Sequence, residues 1–237
     1  MQLRYISQIN NNEITNNQVT SNAANTNANA TADVLDDRLF IMFHGYGNDE
    51  HEMIRIIDAV YKAEQQVSCP VTSPLLAPQP SYLSFHGTYD RPYMGGAYWY
   101  PDGCTVEKRR RACEQVSNAV VSLLDSTMFT HRRKILVGFS QGGYLAYRMI
   151  VDHPTMFDAA ILLSPSFKGE NHTTSLTSPT RIFLAYGAND RTIPHDDQLT
   201  ARRVLNAAGH LEYHEYRGMA HVICDQEIND IHDFLSR

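Results

Sequence analysis

Apolar residues along this chain fall into two alternating rhythms. Unbroken runs such as "RLFIMFHG" (38–45), "KILVGF" (134–139), "DAAILLSP" (158–165) and "TRIFLAYG" (180–187) have the length of strands buried on both faces. Between them the apolar positions recur at helical spacing. Residues 50–66 carry Met53, Ile56, Ile57 and Val60 on one face, and 106–128 carry Ala112, Val116, Ala119, Val120 and Leu123. Further helices are predicted over 141–153, stopped by Pro154, over 196–209, with a glycine just past its end, and over 224–237. "LEYHEYRG" (211–218) alternates with period two and reads as a last strand. "TSPLLAPQP" (72–80) reads as a short strand closed by prolines, and residues 2–9 as an early edge strand. Strands of this kind alternating with amphipathic helices predict an α/β fold: a mostly parallel central sheet with helices on both faces.

Two stretches escape the rhythm. Residues 10–31 are dominated by asparagine and threonine, which predicts a surface excursion or partly ordered hairpin over about 10–32. Residues 81–103 are aromatic, glycine-containing and irregular and read as a long loop, of a kind that is uncommon unless functional or disordered.

The 237 residues suit one α/β domain spanning 1–237. A net charge of −6 argues against a nucleic-acid footprint. The basic runs at 107–111 and 131–134 read as solvated helix ends. Cys69, Cys104, Cys113 and Cys224 have neither CxxC pairing nor histidines at zinc spacing, so no metal site is predicted. Reduced thiols in the cytoplasm are the expectation for a domain of this size. No apolar run approaches the ~18 residues of a membrane span, and the first residues lack the apolar segment of a secretory signal.

The candidate chemistry sits at strand ends, where open α/β sheets carry their reactive groups. Gly138-Phe139-Ser140-Gln141-Gly142 is GxSxG between a predicted strand and a predicted helix, the setting of a nucleophile elbow. A serine hydroxyl needs a base, and the base needs an orienting carboxylate. In hydrolases with this elbow the acid and then the histidine follow the serine. Asp190 in "YGANDRTIP" and His221 in "GMAHVI" occupy those places. Asp196 and Asp197 are rivals that helix N-capping explains, whereas His210 and His214 lie in or beside strand-like sequence. An oxyanion hole would take the backbone amide of Gln141 and, from "FHGYGND", that of Tyr46, with Gly45 and Gly47 allowing the turn. His44 precedes the nucleophile and suits fixing that loop.

"FHGYGND", "PLLAPQP", "MGGAYWYPD", "GFSQGGYLA", "YGANDRTIP" and "GMAHVI", in that order, resemble the phospholipase/carboxylesterase branch of the α/β-hydrolases, which includes acyl-protein thioesterases. The resemblance covers residues 36–237. It implies an α/β-hydrolase fold and a serine hydrolase that needs no cofactor. It would act on small-molecule carboxylic esters or thioesters of small or medium acyl groups through an acyl-enzyme. Ser140 would be nucleophile, Asp190 the orienting acid, His221 the base, and Tyr46 and Gln141 the oxyanion donors. Tyr46 stands where the family usually has a smaller aliphatic residue, and Ala220 where it has glycine. Trp99 and Tyr98 from the aromatic loop, with Met219 beside His221, are the candidate lining of the substrate pocket. An acyl-protein thioesterase or lysophospholipase, a peptidase, and an idle binding protein on the same scaffold are the alternatives.

Overall fold

The computed structural model describes residues 2–10, 36–68, 79–170 and 176–237. Cys69 and nearly all of the asparagine-rich stretch lie outside the described residues. A seven-stranded sheet organises the chain in the order β1-β3-β2-β6-β7-β8-β9. Its strands are β1 (Tyr5–Gln8), β2 (Arg38–Phe43), β3 (Ser81–Phe85), β6 (Arg133–Phe139), β7 (Ala159–Leu163), β8 (Arg181–Gly187) and β9 (Leu211–Tyr216). β1 pairs antiparallel with β3, and every other neighbouring pair is parallel. A two-residue hairpin, β4 (Tyr89–Asp90) with β5 (Ala97–Tyr98), stands apart.

Among the described residues five helices cover the sheet: α1 (Glu50–Ser68), α2 (Val106–Leu124), α3 (Gln141–Asp152), α4 (His195–Asn206) and α5 (Asp225–Leu235). The period-two geometry of the strands sorts their side chains. Leu39, Ile41 and Phe43 pack with α2, α3 and α4, while Phe40 and Met42 pack with α1 and α5. Both sets are fully buried, so β2 reads as one apolar run rather than an alternation.

A strand also forms where a loop was expected. Residues 72–78 lie outside the described residues, and the strand comes at Ser81–Phe85, inside the stretch read as loop. Two serines concealed it. Ser84 Oγ donates to Glu50 O at 2.7 Å, and Ser81 Oγ accepts from Arg132 at 3.0 Å and from the Asn10 amide at 3.2 Å. With those polar atoms satisfied, all five residues are buried.

The sheet also sets where a site can form. After β2 the chain turns outward to β3 and then returns through α2 to β6 on the other side of β2. Loops leaving β2 and β6 therefore diverge at a topological switch point, where open α/β sheets form their ligand crevice.

Candidate active site

The GxSxG turn lies between the last residue of β6 and the first of α3. Ser140 has φ 53° and ψ −113°, a conformation that costs a non-glycine residue about 1–3 kcal/mol. The surroundings hold it there. The Ser140 amide donates to Leu163 O at 2.8 Å, and Ser140 O accepts the Tyr144 amide at 3.1 Å. Neither flanking glycine tolerates a side chain: a Cβ on Gly138 would stand 2.3 Å from Gly142 O, and one on Gly142 2.0 Å from Phe43 O.

Ser140, Asp190 and His221 come together as one hydrogen-bonded chain. His221 Nε2 lies 3.1 Å from Ser140 Oγ, and its Nδ1 lies 2.7 Å from Asp190 Oδ2. Asp190 also closes a turn, its Oδ1 accepting the amides of Thr192 at 2.8 Å and Ile193 at 3.0 Å. Turn-capping and histidine-orienting are thus the work of two oxygens of one carboxylate, whose side chain is fully covered. The histidine arrives on the loop between β9 and α5. That loop crosses so close to β8 that a Cβ on Gly187 would stand 2.2 Å from Met219 O and 2.3 Å from Ala220 O. The Asn189 amide ties it by donating to Met219 O at 2.8 Å, and the Phe139 ring packs on the imidazole, centroids 4.9 Å apart.

The loop after β2 approaches the same serine. A Cβ on Gly45 would meet the Phe139 ring at 2.8 Å and Ser140 Cβ at 3.6 Å, so only glycine fits. Gly47 takes a φ of +82°, which favours glycine for a second reason. The Gly45 amide donates to Glu52 Oε2 at 3.0 Å, and burial pushes the Glu52 carboxyl above the usual carboxylate range. Among the described residues the amides of Tyr46 and Gln141 donate no hydrogen bond, and both residues line the cleft beside Ser140. His44 is wholly buried. Its Nε2 accepts the Gly87 amide at 2.9 Å, which leaves Nδ1 to donate to Gly45 O at 2.7 Å. Burial depresses its pKa, in keeping with a neutral imidazole that fixes the loop.

Gln141 does more than follow the nucleophile. Its Oε1 accepts the Trp99 amide and its Nε2 donates to Tyr100 O, both at 3.0 Å. Trp99 Nε1 donates to His44 O at 2.9 Å. The aromatic loop is thereby fastened to both the elbow and the loop after β2.

These anchors also account for side chains expected to line the pocket. Trp99, Tyr98 and Met219 do not line the cleft beside Ser140. Trp99 is 1% exposed because its indole is committed to the scaffold, and Tyr98 stacks between Tyr46 and Tyr89. Met219 is buried, and its backbone holds the histidine loop. The cleft has a volume of about 620 Å³ and runs from Tyr46, Ser140 and Gln141 towards Arg109, Lys168 and Asp197.

The basic run at 107–111 also departs from expectation. Arg110 makes a two-point pair with Glu170 at 2.7 and 3.0 Å, and Arg109 is buried rather than solvated. Asp196 and Asp197 fall in the first turn of α4, after Pro194 at the cap, so they complement the helix dipole rather than cap it. Asp197 Oδ2 accepts the Ser166 hydroxyl at 2.8 Å. Among the described residues no cluster of three or more histidine, cysteine or acidic side chains is placed to hold a metal, and no helix is long and apolar enough to cross a membrane.

Comparison with known proteins follows the same lines. Residues 28–237 match the sequence model of the phospholipase/carboxylesterase family. A stretch of 124 residues, 48% of this chain, is 28% identical to acyl-protein thioesterase 1 of Mycosarcoma maydis. It covers 51% of that protein, so the chain spans about half the length of the relative it matches. Esterase PE8 shares the fold with a TM-score of 0.66 at 20% identity, over 85% of this chain and 92% of that one. YahD, solved with malic acid, gives a TM-score of 0.70 at 16% identity, over 99% and 98%.

Proposed function

The chain belongs to the phospholipase/carboxylesterase family, and from that premise we propose that it is a serine hydrolase cleaving carboxylic esters of small or medium acyl groups. The observation that carries this reading is the unbroken hydrogen-bonded chain from Ser140 Oγ through His221 to the covered Asp190 carboxylate. His221 Nε2 takes the Ser140 proton as Oγ bonds to the ester carbonyl carbon. The carbonyl π electrons move to oxygen, and the amides of Tyr46 and Gln141 donate to the oxyanion. On collapse the C–O bond to the leaving group breaks, His221 returns the proton to the alcohol, and an acyl-serine remains. Water repeats the sequence and releases the acid. Asp190 fixes the ring so that Nδ1 carries a proton and Nε2 is free to accept one. A thiol leaving group requires the same steps, so thioesters fall within this chemistry.

The strained elbow supports the reading. A serine serving only as a turn gains nothing from φ 53°, where glycine would sit without strain. The free thiols of Cys104, Cys113 and Cys224 fit a reducing, cytoplasmic setting.

The test is labelling with a fluorophosphonate, peptide mapping of the adduct, and turnover of short aryl esters. Ser140 should be modified, Ser140→Ala should be inert, and His221→Ala should lose most of the rate. A folded protein that neither labels nor turns over an ester would reduce the chain to a binding protein on a hydrolase scaffold.

A further inference from the structure

The cleft beside Ser140 contains no leucine, phenylalanine or methionine, and its far side is charged. Arg109 lines it from the first turn of α2, 8% exposed. Among the described residues its guanidinium has no carboxylate partner within ion-pair distance. One terminal nitrogen donates to Lys168 O, the Cζ atom lies 4.1 Å from the Tyr144 ring centroid, and Nε makes no hydrogen bond at all. Its neighbour Arg110 takes Glu170, whose carboxylate also accepts the Tyr144 hydroxyl. Asp197 lines the same end of the cleft but accepts the Ser166 hydroxyl and lies beyond ion-pair distance of Arg109; burial raises its pKa, and the charges of Arg109 and Lys168 oppose the rise.

A buried cation without a counter-ion is a costly arrangement unless something supplies the charge. Resting on the serine-hydrolase reading above, we propose that Arg109, with Lys168 at the rim, forms a carboxylate subsite, so that the preferred substrates are esters bearing a free carboxylate on their acyl or alcohol part. The planar guanidinium suits a carboxylate, and charge-assisted hydrogen bonds in a partly desolvated cleft are the strong kind. Lys168 is exposed and adds a second positive group at the mouth.

Two pairs of esters test this, each matching a carboxylate to a neutral group of similar shape. On the acyl side the pair is methyl hydrogen adipate and methyl 6-methylheptanoate; on the alcohol side it is acetoxyacetate and isobutyl acetate. Hydrolysis is followed by titration at constant pH. The charged member of one pair should have a kcat/KM at least about tenfold above its neutral partner, and which pair responds identifies the part of the substrate that faces Arg109. That ratio should fall towards one in Arg109→Met and be partly restored in Arg109→Lys, with circular dichroism checking the fold. If Arg109→Met does not fold, the wild type decides: free adipate should slow fluorophosphonate labelling of Ser140 far more than adipamide does. Turnover of both neutral esters with no advantage for either charged one would overturn the subsite while leaving the hydrolase intact. No turnover of any ester and no labelling would remove the hydrolase reading, and the subsite with it.

Discussion

Glu227 offers a quantitative test of the packing around the histidine loop. It lies in the first turn of α5, the helix that follows that loop, and it is 0% exposed with neither carboxyl oxygen hydrogen-bonded. Burial pushes its pKa up to about 8 against the ordinary 4.5, and the charge of Asp230 adds to the rise. Below pH about 4.5 folded and unfolded chains both hold the proton, and the group costs nothing through ionisation. As pH rises the unfolded chain releases its proton first while the folded chain keeps it, so stability falls with pH until the folded pKa is passed. At about 1.4 kcal/mol per pH unit the loss is about 3 kcal/mol at pH 7 and about 5 kcal/mol above pH 8. Glu227→Gln removes this titration but buries an amide in the same place, which costs about 1–3 kcal/mol when unpaired. The variant should therefore match or trail the wild type at pH 5 and exceed it by about 2–4 kcal/mol at pH 8.5. Urea unfolding at both pH values measures this, because every other titrating group is common to the two proteins and cancels in the difference. A gap between them that does not change with pH would refute the argument that Glu227 is neutral in the fold.

Four further outcomes are expected. Asp190→Asn keeps an oxygen for the Thr192 and Ile193 amides but no longer fixes the imidazole tautomer; kcat on esters should fall by about 10⁴ with an unchanged circular dichroism spectrum. Gly142→Ala would force a methyl against the β2 backbone, which cannot yield separately from the elbow; unfolding should show a loss of at least about 1–3 kcal/mol, together with loss of Ser140 labelling. Gln141→Ala leaves the Gln141 backbone amide in place but strands the Trp99 amide and Tyr100 O, at about 1–3 kcal/mol each. Limited proteolysis should then cut within 97–104 while an attenuated ester turnover persists. Gly187→Ala should displace the histidine loop, lowering kcat more than it raises KM in steady-state assays.

The apolar rhythm carried the parallel sheet because strands buried on both faces have no polar positions to blur them: β2, β6, β7 and β8 stand where unbroken apolar runs are written. β3 failed that test. Its two serines are satisfied by partners 34 to 71 residues away, and no local window contains those partners. The site divides in the same way. Ser140, Asp190 and His221 are marked by punctuation at strand ends, and the structure brings them within hydrogen-bond reach. The contacts that let them meet are less legible. Gly187 looked like an ordinary strand end, although it opens the gap through which the histidine loop passes.

The aromatic loop is the most instructive case. Aromatic residues crowded into 81–103 suggest a ligand cradle, but an indole N–H and a run of loop amides need partners before they need a substrate. Gln141 and His44 O satisfy them, so the aromatic loop serves as the brace that holds the elbow and the loop after β2 together. Once that brace is in place, the cleft wall is shared between the end of the aromatic loop, at Tyr100 to Gly103, and residues whose sequence signal was bland: a basic run at a helix start and a short polar linker. Arg109 looks solvated in sequence because its neighbours on either side are charged. On a helix those neighbours turn through about 100° each, and the middle one can face inward. The proposed carboxylate subsite thus lies at positions where composition looks least informative, and a charge run at a helix end is a candidate ligand contact whenever that end abuts the nucleophile.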